Sequence, residues 1–287
     1  MAQMQTQRSD MPVEWIAVDW GTSNLRVWMM RADGSVLAQD SSAKGMGTLT
    51  PDAFEPALLD LIAPYLAQDR VMPVLCTGMV GARQGWIEAP YVATPCSVTG
   101  GGGSVDAPTQ NPHIAVRILP GVKQTAPPDV MRGEETQIAG LLGLHPDFDG
   151  VVCMPGTHTK WVHISAGEIV SFQTFMTGEM FALLSQNSVL RHSVISDEWD
   201  AEAFLAAVDG AMGRPQSVAA HLFSLRASGL LFDTPPQTAR ARLSGLLIGS
   251  ELGGARPYWL GRHVAILGAD ALSAHYRVAL GAQGVTA

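Results

Sequence analysis

The chain has 287 residues, of which 47% are hydrophobic and 15% charged, and its formal net charge is −8. That length accommodates two domains or one large one, and the composition excludes a disordered chain. No dense run of lysine or arginine answers a nucleic-acid backbone, so nucleic acid is excluded as the main partner; the few phosphates of a nucleotide need only local donors and a metal.

The cysteines, Cys76, Cys96 and Cys153, are odd in number and widely spaced, which speaks against a disulfide framework and for a reducing cytoplasm. Residues 1–14 read as a disordered head. They lack the apolar core of a signal peptide, and no apolar run is long enough to span a membrane.

Trp15 to Val18 is a short apolar run suited to a buried strand, and Asp19 stands at its end. Gly21, Thr22, Ser23 and Asn24 then form a turn rich in hydroxyl, amide and backbone donors. Leu25, Val27 and Met29 alternate with Arg26, Trp28 and Met30, the period of a second strand. Asp19 could hold a hydrated Mg²⁺ and the turn an anion, as phosphoryl transfer requires. An ordinary hairpin uses the same residue types, and that alternative stays open.

Val36 to Gln39 reads as a third strand after the Asp33-Gly34 turn. Ala53 to Leu66 has helical spacing, with Leu58, Leu61, Ile62 and Leu66 on one face and Pro64 in its last turn. Val71 to Thr77 is a buried-type strand that ends at Gly78. A loop-rich region follows to about Pro112. Its glycines surround Met79, Arg83, Gln84, Trp86 and Glu88, a grouping suited either to a ligand or to a surface loop with a packed Trp. Arg83 could fork onto a carboxylate. The run Gly100–Gly103 and Ser104 lacks the Lys-Ser/Thr of a phosphate loop and reads as a flexible connector.

Ile114 to Pro120 returns to strand character, and Arg132 to Leu144 reads as a helix. Glu134 and Glu135 fall in its first turn, either to complement the helix dipole or to supply a general base. A domain boundary is expected near Pro146 to Gly150, dividing 15–147 from 148–287.

Val151 to Met154 is a further strand, and a second donor-rich turn follows with Gly156, Thr157, His158, Thr159 and Lys160. His158 invites a catalytic reading, but nothing nearby in sequence pairs with it, and a polar turn residue bonding a neighbouring carbonyl is the preferred reading. Lys160 to Ile164 and Glu168 to Phe175 suit a hairpin around Ala166-Gly167. From Gly178 the chain is mainly helical. It closes with a strand, Val264 to Leu267, and a helix after Gly268, where Gly268 and Ala269 would let a planar base lie against bare backbone. A strand–turn–strand bearing Gly-Thr thus occurs twice without an internal sequence repeat, as two similar halves facing a cleft would require.

Taken together, Asp19-x-Gly-Thr-Ser-Asn-x-Arg26, Gly78-Met-x-Gly-x-Arg-Gln-Gly-Trp86, Met131-Arg-Gly-Glu-Glu-Thr-Gln137, Pro155-Gly-Thr-His-Thr-Lys-Trp161 and Gly268-Ala-Asp270 resemble the 2-dehydro-3-deoxygalactonokinase family. That family belongs to the sugar kinase, Hsp70 and actin superfamily, and the resemblance runs from Trp15 to Gly284. It implies an α/β chain with the two-domain actin-like ATPase fold, of ribonuclease H-like type, around a central interdomain cleft. It implies transfer of the ATP γ-phosphoryl group to O6 of 2-dehydro-3-deoxy-D-galactonate in galactonate breakdown, with Mg²⁺ as cofactor.

On this resemblance Asp19 serves the metal and catalysis. Glu135, with Glu134 as its rival, is the base. Gly21, Thr22, Ser23, Gly156, Thr157, His158, Thr159 and Lys160 hold ATP phosphates, and Gly268 and Ala269 hold adenosine. Asn24, Arg26, Gly78, Met79, Arg83, Gln84, Trp86, Glu88 and Arg132 meet the sugar acid. Many superfamily members open the second phosphate turn with Asp, where this chain has Met154 or Pro155; metal binding then rests on Asp19 and ATP oxygens.

In the pyranose form O6 is locked in the ring, so the reactive form must be open-chain or furanose. Other readings are a phosphohydrolase, which would want a basic track this chain lacks, and a nucleotide-dependent sensor without a sugar-acid site. The partners expected are the sugar acid and ATP, with a homodimer left open.

Overall fold

Alternation decides the first sheet. In the computed structural model, which describes residues 12–98 and 102–287, β1 (Trp15–Trp20) buries Ile16, Val18 and Trp20, and β2 (Leu25–Met30) buries Leu25, Val27 and Met29. Residues 1–11 of the expected head, and Gly100 and Gly101 of the expected connector, lie outside the described residues. Pro12 to Glu14 do not belong to a disordered head: Val13 is buried, and the Glu14 N–H donates to Met30 O at 2.8 Å. The chain divides into two compact units, Met1–Leu144 and His145–Ala287.

In the first unit, β1 and β2 form an antiparallel meander with β3 (Val36–Ser42), which is longer than its apolar start suggests. Helix α1 (Phe54–Ile62) then crosses to β4 (Met72–Thr77), which lies parallel to β1. Phe54, Leu58 and Ile62 are fully buried against the β1–β2 face, at roughly 1.5–3 kcal/mol each. The helix is shorter than the expected 53–66. Pro64 lacks an N–H, and the chain tightens into a 3₁₀ turn over Ala63–Tyr65.

Short strands follow: β5 (Tyr91–Ala93), β6 (Cys96–Ser97), β7 (Val105–Asp106) and β8 (Ile114–Ile118). The main sheet of this unit has the order β3-β2-β1-β4-β8-β7. A hairpin of β9 (Gly121–Thr125) and β10 (Pro128–Met131) forms a small sheet with β5 and leads into α2 (Glu134–Leu144).

The second unit repeats the opening layout. Strands β11 (Gly150–Met154), β12 (Thr159–Ser165) and β13 (Glu168–Phe175) form an antiparallel meander. Ala166 and Gly167 join the last two with φ of 51° and 75°, the left-handed pair a tight hairpin turn demands.

Helices α3 (Thr177–Asn187), α4 (Ala201–Gly213), α5 (Val218–Leu231), α6 (Pro236–Gly254) and α7 (Arg256–Trp259) follow. Strand β14 (Val264–Ile266) pairs parallel with β11, and α8 (Asp270–Ala282) closes the chain. The order β13-β12-β11-β14 mirrors β3-β2-β1-β4. Two units of one topology explain why a Gly-Thr turn occurs twice.

Candidate functional site

The first turn closes on itself, because the Gly21 N–H donates to Asn24 O at 2.9 Å. A second segment supports it from behind. Met46 and Gly47 donate N–H bonds to the carbonyls of Gly21 and Thr22, each at 2.9 Å. Gly45 permits that approach, since a Cβ there would sit 2.3 Å from the Ser23 carbonyl carbon. Thr22, Ser23 and Asn24 remain exposed.

Asp19 and Arg26 are register partners on β1 and β2, and Arg26 Nη1 donates to Asp19 Oδ2 at 3.3 Å. With the two side chains 34% and 55% exposed, that ion pair is weak. Burial is the larger influence and raises the Asp19 carboxyl above its ordinary value; Arg26 opposes it, and the charge of Glu134 adds to it.

Asp19, Arg26, Trp28, Thr77, Gly133 and Thr136 line one pocket of about 400 Å³ in this unit. Glu135 is buried behind that wall, bonded to Gly133 and Thr77, which line it. Both Glu135 carboxyl oxygens lie 2.8 Å from the Gly133 N–H, and the Thr77 hydroxyl donates to Oε1 at 3.4 Å. The hydroxyls of Thr77 and Thr136 are 2.8 Å apart. Burial pushes Glu135 up to about 7, against the pull of its backbone hydrogen bonds. Glu134 is half-buried, and its Oε2 accepts the Arg132 N–H at 3.0 Å. The two glutamates therefore occupy different environments from adjacent positions.

The loop after β4 turns at Gly78, whose φ of +94° and contact with Trp20 O exclude a side chain. Met79 is half-buried. Trp86 is 8% exposed and stacks on Phe54 at 6.0 Å and 13°, with its edge toward Trp20, so it anchors the loop. Arg83, Gln84 and Glu88 are exposed on that loop and do not line the 400 Å³ pocket. Arg132 is buried. Its Nη2 donates to Ala89 O at 2.7 Å, its guanidinium lies 4.3 Å over the Tyr91 ring, and Nε and Nη1 have no hydrogen-bond partner among the described residues.

In the second unit Gly156, Thr157 and His158 are the accessible part of the turn. Thr159 and Lys160, expected beside them, are buried: the Thr159 hydroxyl lies 3.0 Å from Tyr276 Oη, and Lys160 Nζ donates to His158 O at 3.3 Å. His158 Nε2 and Glu179 Oε2 are 2.6 Å apart, a pairing hidden from the sequence by its separation. The start of α3 abuts this turn. The Glu179 N–H donates to Thr157 O at 2.9 Å, and a Cβ on Gly178 would come within 2.2 Å of Gly156 O.

Gly156, Thr157, Gly178, Trp199, Arg240 and His275 are among the residues around a pocket of about 580 Å³. Trp199 and His275 stack in it at 4.1 Å and 25°. Trp199 lies just before α4 and His275 on α8, and no motif marks either. Gly268 and Ala269 are exposed just before α8. The Ser273 hydroxyl beside Gly268 is buried without a hydrogen-bond partner among the described residues.

This pocket has the volume and the aromatic wall a nucleotide needs, beside open backbone at Gly156. Among the described residues no group of three or more His, Cys, Asp or Glu side chains converges. Asp19 as a single carboxylate matches Mg²⁺, which keeps most of its waters and phosphate ligands.

Residues 19–287 match the 2-keto-3-deoxy-galactonokinase family. A Rhizobium meliloti protein named probable 2-dehydro-3-deoxygalactonokinase is 40% identical over 277 residues, covering 94% of this chain and 90% of its own. The Escherichia coli protein named 2-dehydro-3-deoxygalactonokinase is 34% identical over 277 residues, covering 96% and 91%. A crystal structure of a Sinorhizobium meliloti protein, described under the same name, superposes with a TM-score of 0.88 at 40% identity, covering 95% of this chain and 92% of its own. The twin meander-plus-parallel-strand units are those of the actin-like α/β fold. With matches along nearly its whole length, the chain belongs to the 2-keto-3-deoxy-galactonokinase family.

Proposed function

We propose that this protein is a cytoplasmic, ATP-dependent sugar-acid kinase that phosphorylates O6 of 2-dehydro-3-deoxy-D-galactonate in galactonate catabolism. Family membership supports the activity. The single structural observation that carries the chemistry is the pocket beside Asp19, with Arg26, Thr77, Gly133 and Thr136 in its wall and Glu135 bonded to Thr77 and Gly133 behind it. There an acid for the metal, a cation for an anionic substrate and a carboxyl tuned near neutrality stand together.

In this reading the Gly21–Ser23 turn and the Gly156–His158 turn hold phosphates, with the buried Thr159 and Lys160 setting the second turn's shape. Adenosine rests in the 580 Å³ pocket near Gly268 and Ala269. When bound, Mg²⁺ would neutralise phosphate charge, with Asp19 holding it. Arg26 and Arg83 receive the substrate carboxylate. Asn24, Gln84 and Glu88 take its hydroxyls, while Gly78, Met79, Trp86 and Arg132 shape and anchor the loop.

Glu135 accepts the proton of the O6 hydroxyl. The O6–phosphorus bond forms as the bond from the γ-phosphorus to its bridging oxygen breaks, leaving ADP. A carboxyl near 7 is half ionised at neutral pH, which suits a base that must both accept and release a proton. Glu134 shares the first turn and modulates Asp19 by its charge.

A coupled assay for ADP release across a panel of 2-keto-3-deoxy sugar acids tests this. Turnover is expected with the galactonate-derived acid. ADP release that is indifferent to any sugar acid would replace the kinase with a phosphohydrolase.

A further inference from the structure

Glu251 projects from α6 into the interior of the second unit and is 2% exposed. Its Oε1 accepts the Trp161 indole N–H at 2.8 Å, and its Oε2 accepts the Tyr276 hydroxyl at 2.8 Å. The hydroxyls of Thr177 and Thr159 also bond to it, and Tyr276 Oη and Thr159 Oγ1 are 3.0 Å apart. Among the described residues no Lys, Arg or His is ion-paired with it. The other titratable groups that bear on it are the buried thiol of Cys153 on β11 and the phenol of Tyr276 on α8.

The partners come from three elements: Thr177 on α3 and Tyr276 on α8 line the 580 Å³ pocket, and β12 follows directly on the Gly156–Thr157 part of its wall. Thr159 and Trp161 open β12 directly after the Gly156–His158 turn. Thr177 is the first residue of α3, and the next residue, Gly178, abuts Gly156. Tyr276 lies on α8 and lines the pocket itself. A carboxyl withdrawn from water without a cation is costly, and an apolar side chain of similar volume would fill the space at lower cost. Burial raises Glu251 to about 7, while its hydroxyl and indole donors work against that rise. What the carboxyl supplies that an apolar group cannot is a set of directed bonds to three elements at once.

We propose that Glu251 is a positioning residue for nucleotide binding: through Thr159, Thr177 and Tyr276 it fixes the Gly156–His158 turn and the adjoining helix walls in the geometry that receives ATP. This rests on the reading of the second unit's pocket as the ATP pocket.

The test is calorimetric binding of a non-hydrolysable ATP analogue to the full chain and to Glu251→Gln, Tyr276→Phe and the double variant, each well below its Tm. Each single variant is expected to bind at least about tenfold more weakly, the worth of one charged hydrogen bond. The double variant should be less than additive, because both changes cut the same link. KM for the sugar acid should stay within about twofold.

A folded Glu251→Gln that loses Tm but binds the analogue like the wild type would overturn the proposal and leave a purely structural role. If Glu251→Gln does not fold, unaltered affinity in Tyr276→Phe overturns it alone. Wild-type protein that does not bind the analogue removes the ATP reading and this inference together. Wild-type protein that binds the analogue but phosphorylates no sugar acid removes only the acceptor assignment, and the variants still decide the role of Glu251.

Discussion

Asp19 and Glu135 are carboxyls set apart by their surroundings. Asp19 is partly open, at a strand end beside Arg26; Glu135 is buried under the Thr77 and Thr136 hydroxyls. Asp19→Asn keeps the side-chain shape, so circular dichroism and Tm should change little while kcat falls by at least about a hundredfold through lost metal positioning. Near-normal turnover at saturating Mg²⁺ would remove Asp19 from that role.

For the base, Glu135→Gln should lower kcat about 10²–10⁴-fold with little change in KM for the sugar acid. Glu134→Gln should act mainly on affinity. Because Glu135 sits at about 7 and must be ionised to accept a proton, wild-type kcat should rise as pH increases from 6 to 8. A larger kcat loss in Glu134→Gln would move the base to Glu134, and mild losses in both variants would mean that neither is the base. Arg26→Lys turns a fork into a point charge, and it should raise KM for the sugar acid more than KM for ATP. Steady-state kinetics with each substrate varied would reveal the reverse order.

At the scale of elements, the turns depend on what packs behind them. Gly178→Ala places a methyl against Gly156 O, which must push α3 away from the second turn. KM for ATP is expected to rise several-fold and Tm to fall by several degrees. Unchanged ATP kinetics would mean that the turn and α3 move independently.

The strands beside both turns were legible, because period-2 alternation and a short apolar run survive in the sequence as they do in β1, β2 and β11. The Ala166-Gly167 hairpin was legible for the same reason. The β9–β10 hairpin was not: Pro127 and Pro128 argue against a strand, yet Pro128 begins an edge strand, where a missing donor costs nothing. The placement of Asp19 at a strand end and of two glutamates at a helix start could be read directly. The burial of Lys160, the stacking of Trp86 and the hub at Glu251 could not, since each is decided by partners far along the chain.

For the whole molecule, two units share one topology, and each carries a buried carboxyl at about 7. Both Glu135 and Glu251 titrate above the unfolded value of 4.5. Between those values the folded chain keeps protons that the unfolded chain releases. Their contribution to stability is therefore full below about 4.5 and is lost as pH rises through 7, on the order of a few kcal/mol in all. Tm should decline from pH 5 to pH 8, and Glu135→Gln should flatten part of that decline. A Tm that climbs over the same interval would show that these carboxyls do not govern it. Stability and catalysis then pull oppositely on Glu135, whose ionised form is the active one.

The proposed reaction is phosphoryl transfer to one hydroxyl of one sugar acid. Its most direct measurement is NMR of the product after incubation with ATP, Mg²⁺ and 2-dehydro-3-deoxy-D-galactonate, with phosphorus coupling read at each carbon while ADP is quantified. One phosphate ester is expected, at C6, formed in equal amount with ADP. An ester at another carbon, or ADP accumulating with inorganic phosphate and no ester, would contradict it.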